Sequence, residues 1–155
     1  MITLLLAQAG DLETILALQQ LAYQSEAEIY QDSAIHPLRE TLDELRVFHA
    51  ENKVLKAVAD GRIVGSVRGR EADGTCYVGR LIVDPEYQNQ GIGKALLKQI
   101  ETEFPGCRYE LFTGHKSDKN LALYQKMGYS PFRTEPVHER LSLVYLEKQP
   151  AALPD

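Results

Sequence analysis

Leu81-Ile82-Val83-Asp84-Pro85-Glu86-Tyr87-Gln88-Asn89-Gln90-Gly91-Ile92-Gly93-Lys94 runs from an apolar strand through a short polar loop and two glycines into a helix. The start of a helix leaves several backbone N–H groups without partners and carries a partial positive charge, so it suits an anion. Glycine lets the backbone approach a bulky anion closely, and Lys94 adds a full charge beside it. A diphosphate is the ligand type this arrangement fits. Spacing excludes two other phosphate loops. A P-loop needs glycine where Gln88 stands and Ser or Thr where Ala95 stands. A dinucleotide fingerprint needs Gly or Ala where Leu96 stands, and it belongs to the first strand of a parallel unit.

Outward from this stretch, the pattern resolves into alternating elements. Residues 54–59 and 63–67 read as a hairpin around Asp60-Gly61, and Asp73-Gly74 turns the chain into a strand over 76–83. A helix over 91–104 carries Ile92, Leu96, Ile100 and Phe104 on one stripe and stops at Pro105-Gly106. A strand over 109–113 follows. Ser117 or Asp118 then caps a helix to Met127, where Gly128 suits the C-terminal cap. Residues 132–140 and 141–147 close the chain as strands. At the other end, 2–7 is an apolar strand and Gly10-Asp11 opens a helix with Leu12, Ile15, Leu16 and Leu18 near one face. Residues 25–35 are polar and aperiodic and read as loop, and Pro37 opens a second helix through Leu38, Leu42, Leu45 and Phe48. The order β-α-α-β-β-β-α-β-α-β-β predicts one α/β (α+β) domain over 1–148. It would have a mixed twisted sheet of about seven strands, helices on both faces, and a loose tail over 149–155.

A chain of 155 residues can bury a core without disulfides or metal. No apolar run approaches the ~20 residues that cross a bilayer, and residues 1–6 lack the basic segment of a secretory signal. A cytoplasmic protein with no membrane partner is expected. The formal net charge of −5 argues against nucleic acid as the main partner, because phosphate binding needs a basic face. Cys76 and Cys107 are far apart and lack a second metal-type pair, so they read as small half-buried hydrophobes rather than zinc ligands.

Residues Gln88-Asn89-Gln90-Gly91-Ile92-Gly93 resemble the Gln/Arg-x-x-Gly-x-Gly/Ala segment of the GNAT superfamily of acetyl-CoA-dependent N-acetyltransferases. Asn120-Leu121-Ala122-Leu123-Tyr124-Gln125-Lys126-Met127-Gly128-Tyr129 is similar to that family's second signature, Asn-x-x-x-Tyr-x-x-x-Gly-Phe/Tyr. The element order matches over nearly the whole chain. The resemblance implies that the fourth and fifth strands splay into a V that holds acetyl-CoA as co-substrate, with no metal. It implies that the backbone of Leu81 and Val83 pairs with the pantetheine amides, and that the N–H of Leu81 or Ile82 faces the developing oxyanion. Gln88 and Asn89, with the N–H groups of Gln90, Gly91, Ile92, Gly93 and Lys94, would hold the diphosphate, and Lys126 the adenosine phosphate. Asn120 would bond the pantetheine arm, with helix capping as the alternative. Tyr124 takes the role of acid to the leaving sulfur, against the alternative of a core aromatic with a satisfied hydroxyl.

The general base departs from the pattern. Many relatives place a glutamate on the fourth strand, but Tyr77-Val78-Gly79-Arg80-Leu81 has none. Glu71, Glu110, Glu26 and Glu28 are candidates, with a water chain to solvent as another route. Arg80 is expected to point away from the cofactor. By resemblance, the acceptor pocket takes in Glu26, Glu28, Tyr30, Phe132, His138 and Glu139, with His115 just past the fifth strand. Carboxylates with aromatics suit a small cationic amine: polyamine-like, amino-acid or aminoglycoside. Direct attack in a ternary complex is expected. Alternatives are a non-catalytic acyl-CoA-binding sensor, or a transferase acting on protein N-termini or lysines. The exposed edge of the last strand is a candidate surface for a homodimer.

Overall fold

The structure, a computed structural model, describes residues 1–150; most of the tail expected over 149–155 lies outside them. Seven strands form one sheet: β1 Thr3–Leu6, β2 Lys53–Ala59, β3 Arg62–Ala72, β4 Thr75–Val83, β5 Arg108–Gly114, β6 Ser130–His138 and β7 Leu141–Lys148. Their order is β1-β2-β3-β4-β5-β7-β6, and every neighbouring pair is antiparallel except β4 with β5. The β2–β3 hairpin closes at Asp60-Gly61, both with positive φ (51° and 74°), as a tight hairpin turn requires.

Two separate cores lie on the two faces of the sheet. Neighbouring strand residues point to opposite sides, and Leu55 and Val54 belong to different buried clusters. On the Leu55 side, helix α5 (Ile92–Glu103) packs Ile92, Leu96, Leu97 and Ile100 against Val64, Val67 and Val78. The expected stripe of α5 is therefore its buried face. On the other side, α1 (Leu12–Ala22) and α4 (Leu42–Glu51) bury Leu12, Ile15 and Leu45 against Val54. Cys76 and Cys107 are buried and unpaired; burial pushes the Cys76 thiol up to about 12, so it is an inert apolar filler.

Three expectations are corrected. Residues 25–35 are not all loop: α2 spans Gln24–Tyr30. Only Ala27 and Tyr30 of it are buried, so its sequence shows no wide apolar stripe. The second helix is two, α3 His36–Arg39 and α4, parted at Glu40-Thr41. Thr41 caps α4 in a reciprocal box with Glu44, a Thr-x-x-Glu signal present in the sequence. The outer edge of the sheet is β6, because the last strand β7 inserts between β5 and β6.

The parallel seam between β4 and β5 is short. Only Thr75↔Arg108, Cys76↔Tyr109 and Tyr77↔Glu110 pair; beyond them the two strands run on to Val83 and Gly114 without partnering each other. The sheet thus opens into a V. Beside the opening, β3 pairs Arg68 with Gly79 and Ser66 with Ile82, so Val67 faces two residues, Arg80 and Leu81. This bulge puts Arg80 at φ 50°, a left-handed backbone that a branched-chain-free but bulky side chain adopts only under constraint.

Candidate active site

The V opens into a cleft of about 1670 Å³, larger than the ~300–1,000 Å³ of a typical small-molecule pocket. One end meets the N-terminus of α5. Gly91 caps that helix at φ 80° and supplies no side-chain oxygen, so the first N–H groups of α5 are left for a ligand. Asn89 also has a positive φ (63°), so the loop turns sharply just before the helix. Gln88, Asn89, Gly91, Ile92, Gly93 and Lys94 all line the cleft. Gln90 lies just outside it. This end has the chemistry of a phosphate cradle.

Along the opening, Leu81, Ile82 and Val83 of β4 face Leu111, Phe112 and Thr113 of β5. Across the gap stands helix α6, Asp118–Lys126. It brings Asn120 and Tyr124 to the cleft together, since residues four apart share a helix face, and Lys126 lines the cleft at the helix end. Tyr124 is only 6% exposed, yet its hydroxyl has no hydrogen-bond partner among the described residues. No buried side-chain polar atom is left unpaired among those residues, so this hydroxyl is open to the cleft. Burial first, then the negative potentials of Tyr23 and Glu26, push its pKa well above the usual phenol range. The Tyr124 phenol is thus held in its protonated form, with its hydroxyl toward the cleft.

The family model described as Acetyltransferase (GNAT) family matches residues 13–129. The chain belongs to this family. Among curated relatives of this GNAT chain is glucosamine 6-phosphate N-acetyltransferase of Trypanosoma brucei brucei. It is 35% identical over 94 residues, or 54% of this chain and 59% of that protein. The chain spans 29% to 59% of the length of the curated relatives it matches. Two solved structures share the fold. The ribosomal-protein-S18-alanine N-acetyltransferase of Escherichia coli has a TM-score of 0.81 at 16% identity, covering 100% of this chain and 97% of that one. The PaiA N-acetyltransferase of Thermoplasma acidophilum, in complex with coenzyme A, has a TM-score of 0.78 at 22% identity, covering 96% and 99%.

The GNAT fold sorts the remaining candidates by position. Glu26 and Glu28, now on α2, line the cleft with Tyr30. The Tyr30 hydroxyl accepts from the Lys116 backbone N–H (2.9 Å) and lies 2.7 Å from Ser117 Oγ, which donates to Glu26 (2.6 Å). Because Ser117 has one proton and gives it to the carboxylate, Tyr30 is the donor to Ser117. Asn120 donates to Glu26 and Thr113 (both 3.3 Å) and so is not a helix cap. This chain fixes α2 over the splay and presents the Glu26 carboxylate to the cleft.

Glu71 and Glu110 stand elsewhere. Glu71, near the far end of β3, accepts from the Cys107 thiol. Glu110 faces Tyr77 at the closed end of the V and is paired with Arg108 at 2.9 Å. Neither lines the cleft. His115 is tied to Ser142 by the backbone N–H that its Nδ1 accepts (2.9 Å), and its ring lies against Tyr30. His138 pairs with Asp32 (3.0 Å), which itself lines the cleft, so His138 stands one residue behind the site. Phe132 and Glu139 are outside the lining.

One group escaped the sequence entirely. Glu40 is buried at the α3–α4 break and receives Arg68 in a two-pronged bond (2.7 and 3.0 Å), Gln19 (2.8 Å) and Arg80 (3.3 Å). Arg80 also donates to His36 Nδ1 at 2.6 Å. Burial works to raise the Glu40 pKa, but the hydrogen bonds and charges of these partners outweigh it and bring it down to about 2. Arg80 turns out to line the cleft.

Proposed function

We propose that the protein is an N-acetyltransferase that moves the acetyl group of acetyl-CoA to the primary amine of a small molecule, with both bound at once. The observation that carries this reading is a single cleft holding an uncapped helix N-terminus beside Lys94 at one end and the open hydroxyl of a buried, protonated Tyr124 along its side. Acetyl-CoA would supply the activated thioester; the rest of the work falls to the chain. The α5 amides with Gln88, Asn89 and Lys94 fit a diphosphate, and Lys126 fits a further phosphate. The backbone of Leu81 and Val83, freed from any β5 partner, suits amide groups lying along the strand, and the N–H of Leu81 or Ile82 suits charge developing on the thioester oxygen. Tyr124 protonates the leaving sulfur.

On the acceptor side, Glu26, Glu28 and Asp32 attract the ammonium form, and Glu26 is the carboxylate best held to relay its proton to solvent. Within this reading the volume of the cleft supports simultaneous binding of a cofactor and a small amine. The test is calorimetric titration with acetyl-CoA together with thiol release across a panel of amines. Micromolar binding and amine-dependent release are expected. Absence of acetyl-CoA binding would overturn the reading, and binding without release from any amine would leave a sensor of acyl-CoA in its place.

A further inference from the structure

The acceptor wall formed by β3 and β4 carries more positive charge than the protein neutralises. Arg68 and Arg80 share one carboxylate, that of Glu40, and their side chains are 9% and 16% exposed. Among the described residues the only other partner of Arg80 is His36, whose Nδ1 accepts its N–H and therefore adds no negative charge. Two strand positions away, Arg70 lies over the Tyr77 ring at 4.8 Å and forms no ion pair among the described residues. Stacking occupies the face of a guanidinium and leaves its N–H edges free. The shared carboxylate matters most at Arg80, which is half-buried; Arg70 is exposed and stays hydrated until a ligand takes its N–H edges. Arg80 takes its left-handed backbone inside a strand, at the bulge opposite Val67, and its side chain lines the cleft. Overall the chain carries −5, yet lysines and arginines outnumber carboxylates along this one cleft.

Resting on the acetyl-transfer reading, we infer that Arg70 and Arg80 bind an oxyanion, a carboxylate or a phosphate, carried by the acceptor amine itself. The carboxylates of Glu26 and Glu28 face the same cleft from α2. The acceptor is thus amphoteric, with its amine toward α2 and its anionic group toward β3–β4. A free polyamine lacks the group that the arginines need.

Matched pairs test this without relying on turnover. Phenylalanine against phenylalaninamide probes a carboxylate; phosphoethanolamine against ethanolamine probes a phosphate; spermidine stands for the polycations. Each is titrated calorimetrically into the full chain, alone and saturated with coenzyme A. At least one anionic member is expected to bind about tenfold to a hundredfold tighter than its neutral twin, the range of a charge-assisted hydrogen bond. Arg70→Gln, which breaks no hydrogen bond of the fold, should close most of that gap, and Arg80→Gln the remainder. Equal binding within both pairs, tighter binding of spermidine, no binding of any probe at millimolar concentration, or a gap that survives both substitutions would each overturn the inference. Discrimination in these titrations, with no thiol released from any probe when acetyl-CoA replaces coenzyme A, would instead leave the anion site standing and remove the acetyl-transfer reading.

Discussion

Tyr124 and Glu40 are both buried and titratable, and their environments drive them in opposite directions. Burial keeps the Tyr124 phenol protonated beyond its ordinary range, so it remains a donor throughout the alkaline region where amines lose their protons. Tyr124→Phe should lower kcat about a hundredfold while acetyl-CoA affinity holds, and wild-type kcat should not fall between about pH 8 and 10. A steady-state pH profile of both proteins reads this. For Glu40 the folded pKa of about 2 lies below the ordinary 4.5, so its stabilisation is complete above 4.5 and is lost as pH falls toward 2. Glu40→Gln strands the buried guanidinium of Arg68 and the half-buried one of Arg80 and should cost about 3 kcal/mol at pH 7. Its melting temperature should then change less than that of the wild type between about pH 4.5 and 3. That Tyr124 and Asn120 reach the cleft was legible through the family signature they match, and that Lys94 does so through its place at a helix start. Glu40 was not: its partners Gln19, Arg68 and Arg80 come from three separate elements, and only the folded chain joins them. Glu71 and Glu110 misled for a related reason, since strand alternation gives a face but not the end of the sheet on which the cleft opens.

At the scale of elements, every strand and the two long helices of the second half were readable from turns and periodicity. The region between α1 and β2 was not. Helix α2 holds its place through a polar chain rather than an apolar stripe, and its anchor is the fit of Tyr30 against Gly114 at the end of β5. A β-carbon on residue 114 would overlap the Tyr30 hydroxyl. Gly114→Ala should therefore lift Tyr30, loosen Ser117 and release Glu26 from its hydrogen bond. The expected result is a drop of several degrees in melting temperature together with a raised KM for the amine, while the KM for acetyl-CoA moves little. An equal effect on both substrates would show that α2 does more than frame the acceptor. Thr41, by contrast, announced the start of α4 through its box with Glu44, a local signal that Pro37 overshadowed.

The molecule as a whole is two half-sheets with a core on each face, joined at one parallel seam. Its architecture followed from the order of elements, but the insertion of β7 between β5 and β6 did not, because strand order is a property of tertiary pairing. Among the described residues no helix is long and apolar enough to cross a membrane. The brevity of the seam has a consequence for the backbone amides themselves. Past Tyr77 and Glu110, each strand of the V is paired on one side only, to β3 or to β7. Along 111–114, and along 78–83 apart from the bulge at Arg80-Leu81, alternate N–H groups therefore point into open cleft. In heavy water, deuterium should enter these two segments in an every-other-residue pattern, fast at cleft-facing amides and slow at their neighbours. A ligand that lies along β4 should erase the pattern there first, so the rhythm of deuterium uptake would report which strand it lies against.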